Sequence, residues 1–201
     1  MPYSYIHFKQ DVLFHFLANT PSSTKILDVG PGSGTYGRLL RRHYNTIDAI
    51  EIWEPYINEF NLRALYNNVY VGSITSFDFT DYDYIILGDV LEHIDAYTSQ
   101  CLIRSICDQR KKCMIAVPYL YEQGSYHGNP YEEHLQADLT KEKVITRYPQ
   151  LRFLFGDSQY GHFINYSPKT PPLSRRLELK LRHFSRHFKS FARRILKKGN
   201  T

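Results

Sequence analysis

No apolar run in the sequence approaches the roughly 18 residues that a membrane-spanning helix requires, so an integral helical membrane protein is excluded. Cysteine is scarce. Cys101, Cys107 and Cys113 are odd in number and contain no Cys-x-x-Cys pair, which leaves no disulfide framework and no thiolate zinc site to expect. They read as reduced packing residues of a cytoplasmic protein. The opening stretch MPYSYIHFKQDVLFHF has neither a basic n-region nor a small-residue cleavage site, so no secretory signal is expected. No internal repeat occurs. Acids are nearly missing from the end of the chain: residues 173–201 hold ten lysines and arginines against one acid, Glu178, leaving 15 bases and 19 acids before them. The formal net charge of +5 thus reports a basic tail on a mildly acidic body, and says little about a site in the body.

What is present reads as one domain of ordinary size with an appendage. We place the boundary at 168/169, with a domain over 1–168 and a tail over 169–201. YSYIHFKQDVLFHFLAN has Ile6, Val12, Leu13, Phe16 and Leu17 on one broad apolar face and predicts a first helix. After the Pro21-Ser-Ser linker, strand KILDVG leads through a glycine turn to helix TYGRLLRRHYN. TIDAIEIW is a second strand, and Pro55 opens helix PYINEFNLRALYNN. VYVGSI and YDYIILGD are further strands, VLEHIDAYTSQCLIRSICDQ a helix, and KCMIAVP a strand stopped by Pro118. Tyr119 to Asp138 is polar and aperiodic. Thr140 caps helix TKEKVITRYP, and LRFLFGDSQ with YGHFINYSP closes the body as a hairpin. Strands alternating with helices and ending in a hairpin predict an α/β, doubly wound, mostly parallel sheet with an antiparallel edge.

In such sheets ligands bind beyond the carboxyl ends of the strands, near the switch in strand order. Asp28, Glu51, Gly72-Ser73 and Asp89 all fall at those ends. Gly32-Ser-Gly34-Thr-Tyr-Gly37 spells G-x-G-x-x-G, the dinucleotide fingerprint, which alone is a weak signal. The turn begins earlier, at Asp28-Val-Gly30-Pro-Gly32-Ser-Gly34. An acid at the end of the strand would repel a pyrophosphate and would pair well with an ammonium group.

ILDVGPGSGTYGRLL, IDAIEIWEPYI and DYDYIILGDVLEHI resemble the first, second and fourth motifs of class I S-adenosylmethionine-dependent methyltransferases, in order over residues 25 to about 168. The resemblance implies a Rossmann-like, seven-stranded sheet with a terminal hairpin and S-adenosyl-L-methionine as cofactor. It implies that Asp28 lies beside the amino-acid end, with Gly30, Gly32 and Gly34 admitting the close approach of backbone. Glu51 would accept the ribose hydroxyls, Ile52 and Trp53 would flank the adenine, and Asp89 and Leu91 would border the methionine part. Relatives often carry an acid after the third strand; here Gly72-Ser73-Ile74 stands instead, and a Ser73 hydroxyl or a backbone carbonyl would take its place.

An oxygen acceptor needs a base for its proton. His134, in the aperiodic loop, and His93, after the fourth strand, are the candidates, against the plain alternative of structural histidines. GNPYEEH loosely resembles a loop in bacterial methyltransferases of surface-polysaccharide and other glycan pathways, which points to a glycan or small-molecule acceptor. The loop tyrosines either stack on sugar or are simply solvated. Consecutive Glu132, Glu133 and His134 rarely converge on one ion, so no metal is assigned. Nucleic-acid base methylation is disfavoured, because GDVLEH stands where an Asp/Asn/Ser-Pro-Pro-aromatic motif would be. RNA ribose methylation using the basic tail stays open, as does a non-catalytic cofactor-binding subunit.

In the tail, Leu177, Leu181, Phe184, Phe188, Phe191 and Ile195 alternate four and three apart among basic residues, a basic amphipathic helix pattern. Over residues 173–198 it suits an anionic membrane surface, a partner helix or RNA phosphates. The chain is therefore expected to be cytoplasmic, and peripheral on the cytoplasmic membrane face if the first holds.

Overall fold

The computed structural model describes residues 8–169. The chain divides after Ser167, and the elements below belong to the first unit. The predicted tail helix lies outside the described residues.

Period-two burial builds the sheet. In β1 (Lys25–Val29) and β4 (Tyr84–Gly88), Leu27, Val29, Ile85 and Leu87 face one side while Ile26, Tyr84 and Ile86 face the other. Both sides are covered, so β4 is buried throughout and β1 is buried from Ile26 on. With β2 (Thr46–Glu51), β3 (Val69–Val71), β5 (Lys112–Pro118), β6 (Arg152–Gly156) and β7 (Tyr160–Ile164), the order is β3-β2-β1-β4-β5-β7-β6. Strands β1 to β5 run parallel, and β7 is antiparallel to both β5 and β6. The seven-stranded, mostly parallel sheet with an antiparallel hairpin is therefore the doubly wound fold expected from the element order. Its order reverses between β1 and β4, where the first crossovers leave in opposite directions and open a crevice at the strand ends.

Helices α1 (Lys9–Asn19), α2 (Thr35–Leu40) and α3 (Pro55–Glu59) accompany one face, whose core includes Val12, Phe16, Tyr36, Leu40 and Ile57. Helices α4 (Ala96–Asp108) and α5 (Lys141–Arg147) supply Leu102, Ile103, Ile106 and Val144 to the other. Cys113 is buried in β5, Cys107 is half-buried, and Cys101 is exposed; all three thiols are free.

Several helices are shorter than their patterns suggest. The run after Pro55 breaks at Asn61, whose φ is +51°, and resumes as a single 3-10 turn at Leu62–Ala64. The pattern from Val90 onward splits in the same way. A 3-10 turn covers Leu91–His93, Ile94 is extended, and α4 starts only at Ala96, because the Asp95 carboxylate accepts from Thr98 N at 2.9 Å as its N-cap. His93 thus sits on a tight turn ahead of the helix rather than on the helix's first turn.

Candidate active site

The switch in strand order carries an open cleft of about 800 Å³, open solvent included, lined among others by Gly30, Gly32, Glu51, Ile52, Ser73 and Asp89. Six of the ten residues expected at the cofactor therefore meet in one wall, and Trp53 is not among them. The turn after β1 curls tightly, with φ of +57°, +48° and +78° at Gly30, Gly32 and Gly34, a conformation that costs a side-chain-bearing residue about 1–2 kcal/mol each. A Cβ on Gly30 would also lie 2.9 Å from Val90 Cγ2.

Glu51, 3% exposed, holds the turn: its Oε2 accepts from Gly32 N at 3.3 Å and its Oε1 from Trp53 N at 2.9 Å. Burial nonetheless raises its carboxyl to about 7, with those main-chain N–H groups pulling the other way. Asp28 is set back from the cleft wall. Its Oδ2 accepts from Tyr66 OH at 2.5 Å, while its buried Oδ1 has no partner among the described residues. Burial lifts it to about 7, opposed by the Tyr66 bond and helped by the charge of Glu51. Gly34 and Leu91 also stand back: Gly34 caps α2 against Leu65, and Leu91 is fully buried. The Ser73 hydroxyl is tied to Thr75, 2.8 Å from its Oγ1.

Beyond β4 the chain turns through Asp89, a non-glycine residue at φ +58°. Such strain is sustained by its surroundings; here Tyr160 OH donates to Asp89 Oδ1 at 2.6 Å. Asp89 and His93 line the first cleft and also a second, lined further by Glu92, Tyr119, Tyr121, Gln123, His134 and Tyr160. The two candidate histidines come together, with ring centroids 4.6 Å apart and edge-on. His93 Nδ1 lies 3.0 Å from Glu133 O and His134 Nδ1 lies 2.7 Å from Tyr121 O. Burial keeps both imidazoles neutral, holding His93 down near 4 and lowering His134.

The family model described as a methyltransferase domain matches residues 27–105, the segment that contributes the glycine turn, Glu51 and the Asp89–His93 corner. The chain carries a class I S-adenosylmethionine-dependent methyltransferase domain.

Solved structures with this fold include an S-adenosylmethionine-dependent methyltransferase from Clostridium acetobutylicum ATCC 824, at 10% identity and TM-score 0.58 over 78% of this chain and 89% of that one. The N-terminal domain of EvdMO1, solved with SAH bound, is 14% identical at TM-score 0.55 over 80% of each chain. A putative O-methyltransferase from Nostoc punctiforme PCC 73102 is 17% identical at TM-score 0.54, over 78% of this chain and 55% of that one. No curated protein matches the chain.

The methyltransferase's first cleft fits its cofactor on its own chemistry. A strained glycine turn presents main chain where a Cβ would intrude, and a buried carboxylate oxygen behind it lacks a donor that an ammonium group would supply. The loop that follows β5 does more here than the sequence suggested. Asn129, Tyr131 and Glu132 reach the first cleft, with Glu132 Oε1 accepting from Tyr56 OH at 3.0 Å and Trp53 and Tyr131 rings 6.3 Å apart. No periodicity marks them. Only the Asn129-Pro130 turn, in which Asn129 Oδ1 accepts from Tyr131 N, is a local signal. The consecutive Glu132-Glu133-His134 set accordingly separates: Glu132 turns to Tyr56 and Gln123, and His134 turns to His93.

Proposed function

We propose that this methyltransferase transfers its methyl group to an oxygen of a glycan or other hydroxylated small molecule. The reading is carried by the junction at Asp89 and His93, which line both the cofactor cleft and the second, aromatic cleft. An acceptor in the second cleft meets the donor there and nowhere else along the two linings. Tyr119, Tyr121 and Tyr160 supply the broad ring surfaces suited to sugar faces. The buried Tyr119 hydroxyl has no hydrogen-bond partner among the described residues, so a polar acceptor would satisfy it. In the same direction, the EvdMO1 N-terminal domain was also solved in the presence of SAH and D-fucose, at 15% identity and TM-score 0.55 over 80% of this chain and 82% of that one.

In this reading Gly30 and Gly32 offer main chain to the amino-acid end, with Asp28 acting from behind and Gly34 shaping the turn. Glu51 takes the ribose hydroxyls, Ile52 and Trp53 flank the adenine, and Ser73 borders its edge. Asp89 faces the methionine part, with Leu91 packed behind it. Bound there, S-adenosylmethionine supplies an electrophilic methyl on a sulfonium. The protein's own contribution is alignment of an in-line displacement and exclusion of water, and activation of the acceptor hydroxyl. His134 and His93 are the groups we assign to activating that hydroxyl. The basic stripe over 173–198 extends the reading to location, since an anionic cytoplasmic membrane face is where a lipid-carried glycan would be met.

Isothermal titration tests the cofactor site: one S-adenosylhomocysteine binds, and Asp28→Ala and Gly32→Val abolish it. Labelled-methyl transfer to cell extract, fractionated into lipid, glycan, protein and nucleic acid, tests the acceptor. Label confined to protein or nucleic acid overturns the oxygen-of-a-glycan reading.

A further inference from the structure

The turn after β4 and the loop after β5 bring three metal-ligand side chains together. One donor atom from each of Glu92, His93 and His134 lies within 4.8 Å of the others. We propose that they hold a divalent first-row transition ion, of the zinc or manganese kind, in the wall of the second cleft.

Glu92 is the first reason. It is 1% exposed, and neither of its carboxylate oxygens has a partner from another described residue. An acid so deeply buried and so poorly satisfied needs a cation or a bound polar group to justify it. The second reason is the way both imidazoles are oriented. A carbonyl oxygen only accepts, so His93 Nδ1 must donate to Glu133 O and His134 Nδ1 must donate to Tyr121 O. In each neutral ring the lone pair is then at Nε2. Ring N–H groups anchored to carbonyls are the usual support of metal-bound histidines, because they settle tautomer and ring direction together.

The third reason is support of the turn itself. Gln136 Nε2 donates to Leu91 O at 2.8 Å and to Ile94 O at 2.7 Å, so both ends of the Leu91–His93 turn are tied to the segment that carries His134. The Gln136 amide oxygen is in turn held by Arg147 Nη1 at 2.6 Å and Tyr148 OH at 2.8 Å. Two imidazoles and one carboxylate suit zinc, manganese, iron(II) or cobalt rather than magnesium or calcium. Bonds of about 2.0–2.2 Å place ligand atoms some 3–3.5 Å apart, a contraction of at most about 1.5–2 Å from a spacing within 4.8 Å. Three protein ligands leave coordination positions open, and Glu92, His93 and His134 all line the second cleft.

The catalytic consequence rests on the methyl-transfer reading above. An acceptor hydroxyl on the ion loses its proton to solvent more readily. As its oxygen bonds to the methyl carbon, the carbon–sulfur bond breaks and its electron pair returns to sulfur, leaving a neutral thioether. His93 and His134 activate the hydroxyl as ligands rather than by taking the proton themselves.

The test uses the full chain, stripped with chelator, dialysed, and titrated with Co²⁺ followed by its visible ligand-field bands, with Zn²⁺ titration calorimetry in parallel. One ion per chain is expected, with affinity falling at least about 100-fold in Glu92→Gln and His134→Ala and unchanged in His127→Ala. S-adenosylhomocysteine binding is measured on each variant. Loss of the ion with cofactor binding retained supports the site. Absence of binding by the parent chain, or equal binding in Glu92→Gln and His134→Ala, overturns it. Failure of the parent chain to bind S-adenosylhomocysteine would instead count against the methyltransferase reading, and leaves the ion titration to be judged on its own.

Discussion

Asp28→Asn separates what the cofactor turn costs from what it is for. Asp28 is 1% exposed, has one carboxylate oxygen without a described partner, and is raised by burial to about 7. Unfolded, the same carboxyl titrates near 4. Between those values the native state binds a proton that the unfolded chain does not, so this group's contribution to stability falls as pH rises from about 4 to 7 and stays low above. Holding the charge at pH 8 costs on the order of 2–4 kcal/mol, the lower figure allowing for relaxation and water entry. Asparagine keeps an acceptor for Tyr66 OH and exchanges one unpaired polar atom for another, so only the charge is removed.

The wild-type profile alone does not isolate this effect. His15 and His93 are held near 4 by burial, and below about pH 6.5 they favour the unfolded state, tilting the profile the other way. The difference between variant and wild type cancels them. Urea unfolding of the apo protein should show Asp28→Asn gaining about 2 kcal/mol on wild type between pH 5 and pH 8. S-adenosylhomocysteine affinity should fall by about tenfold or more, which is ~1.4 kcal/mol. A variant that gains nothing between those pH values, or that binds the cofactor product as tightly as wild type, would refute the argument that the buried carboxylate waits for a cation.

Three further predictions concern other elements. Gly34→Ala places a Cβ at φ +78° and 2.5 Å from Leu65 Cδ1; about 2 kcal/mol is lost, a fall in Tm of roughly 4–8 °C, and an unchanged melting curve would contradict it. Gln136→Leu removes one hydrogen-bond partner from each of Leu91 O, Ile94 O, Arg147 and Tyr148 OH in one step, and chemical denaturation should register a loss of about 2–4 kcal/mol. For the tail, flotation with anionic vesicles should recover the full chain and not a chain lacking residues 173–201; equal recovery removes the membrane role.

Much of the site was legible because its signals are local. A glycine turn after an apolar run, an acid at the end of the next strand and a Gly-Asp step after the fourth each declare themselves within a few residues. Strand alternation then places them on one sheet edge, since parallel strands joined by crossovers all end on the same side. Where the sequence reading went astray, a side-chain bond outweighed a periodic pattern: Asp95 caps α4 and so leaves His93 on a separate turn.

The sequence by itself determined the sheet, its hairpin and most of the strand-end residues that line the first cleft, because these follow from spacing along the chain. Only the tertiary structure decided that Asp28 lies behind the turn rather than in the cleft wall, that Asn129, Tyr131 and Glu132 reach across to the first cleft, and that His134 meets His93 and Glu92. These pairings join residues some forty to eighty positions apart through a loop without periodicity. Their proximity depends on how that loop folds back over β4 and β5, and no local pattern encodes it.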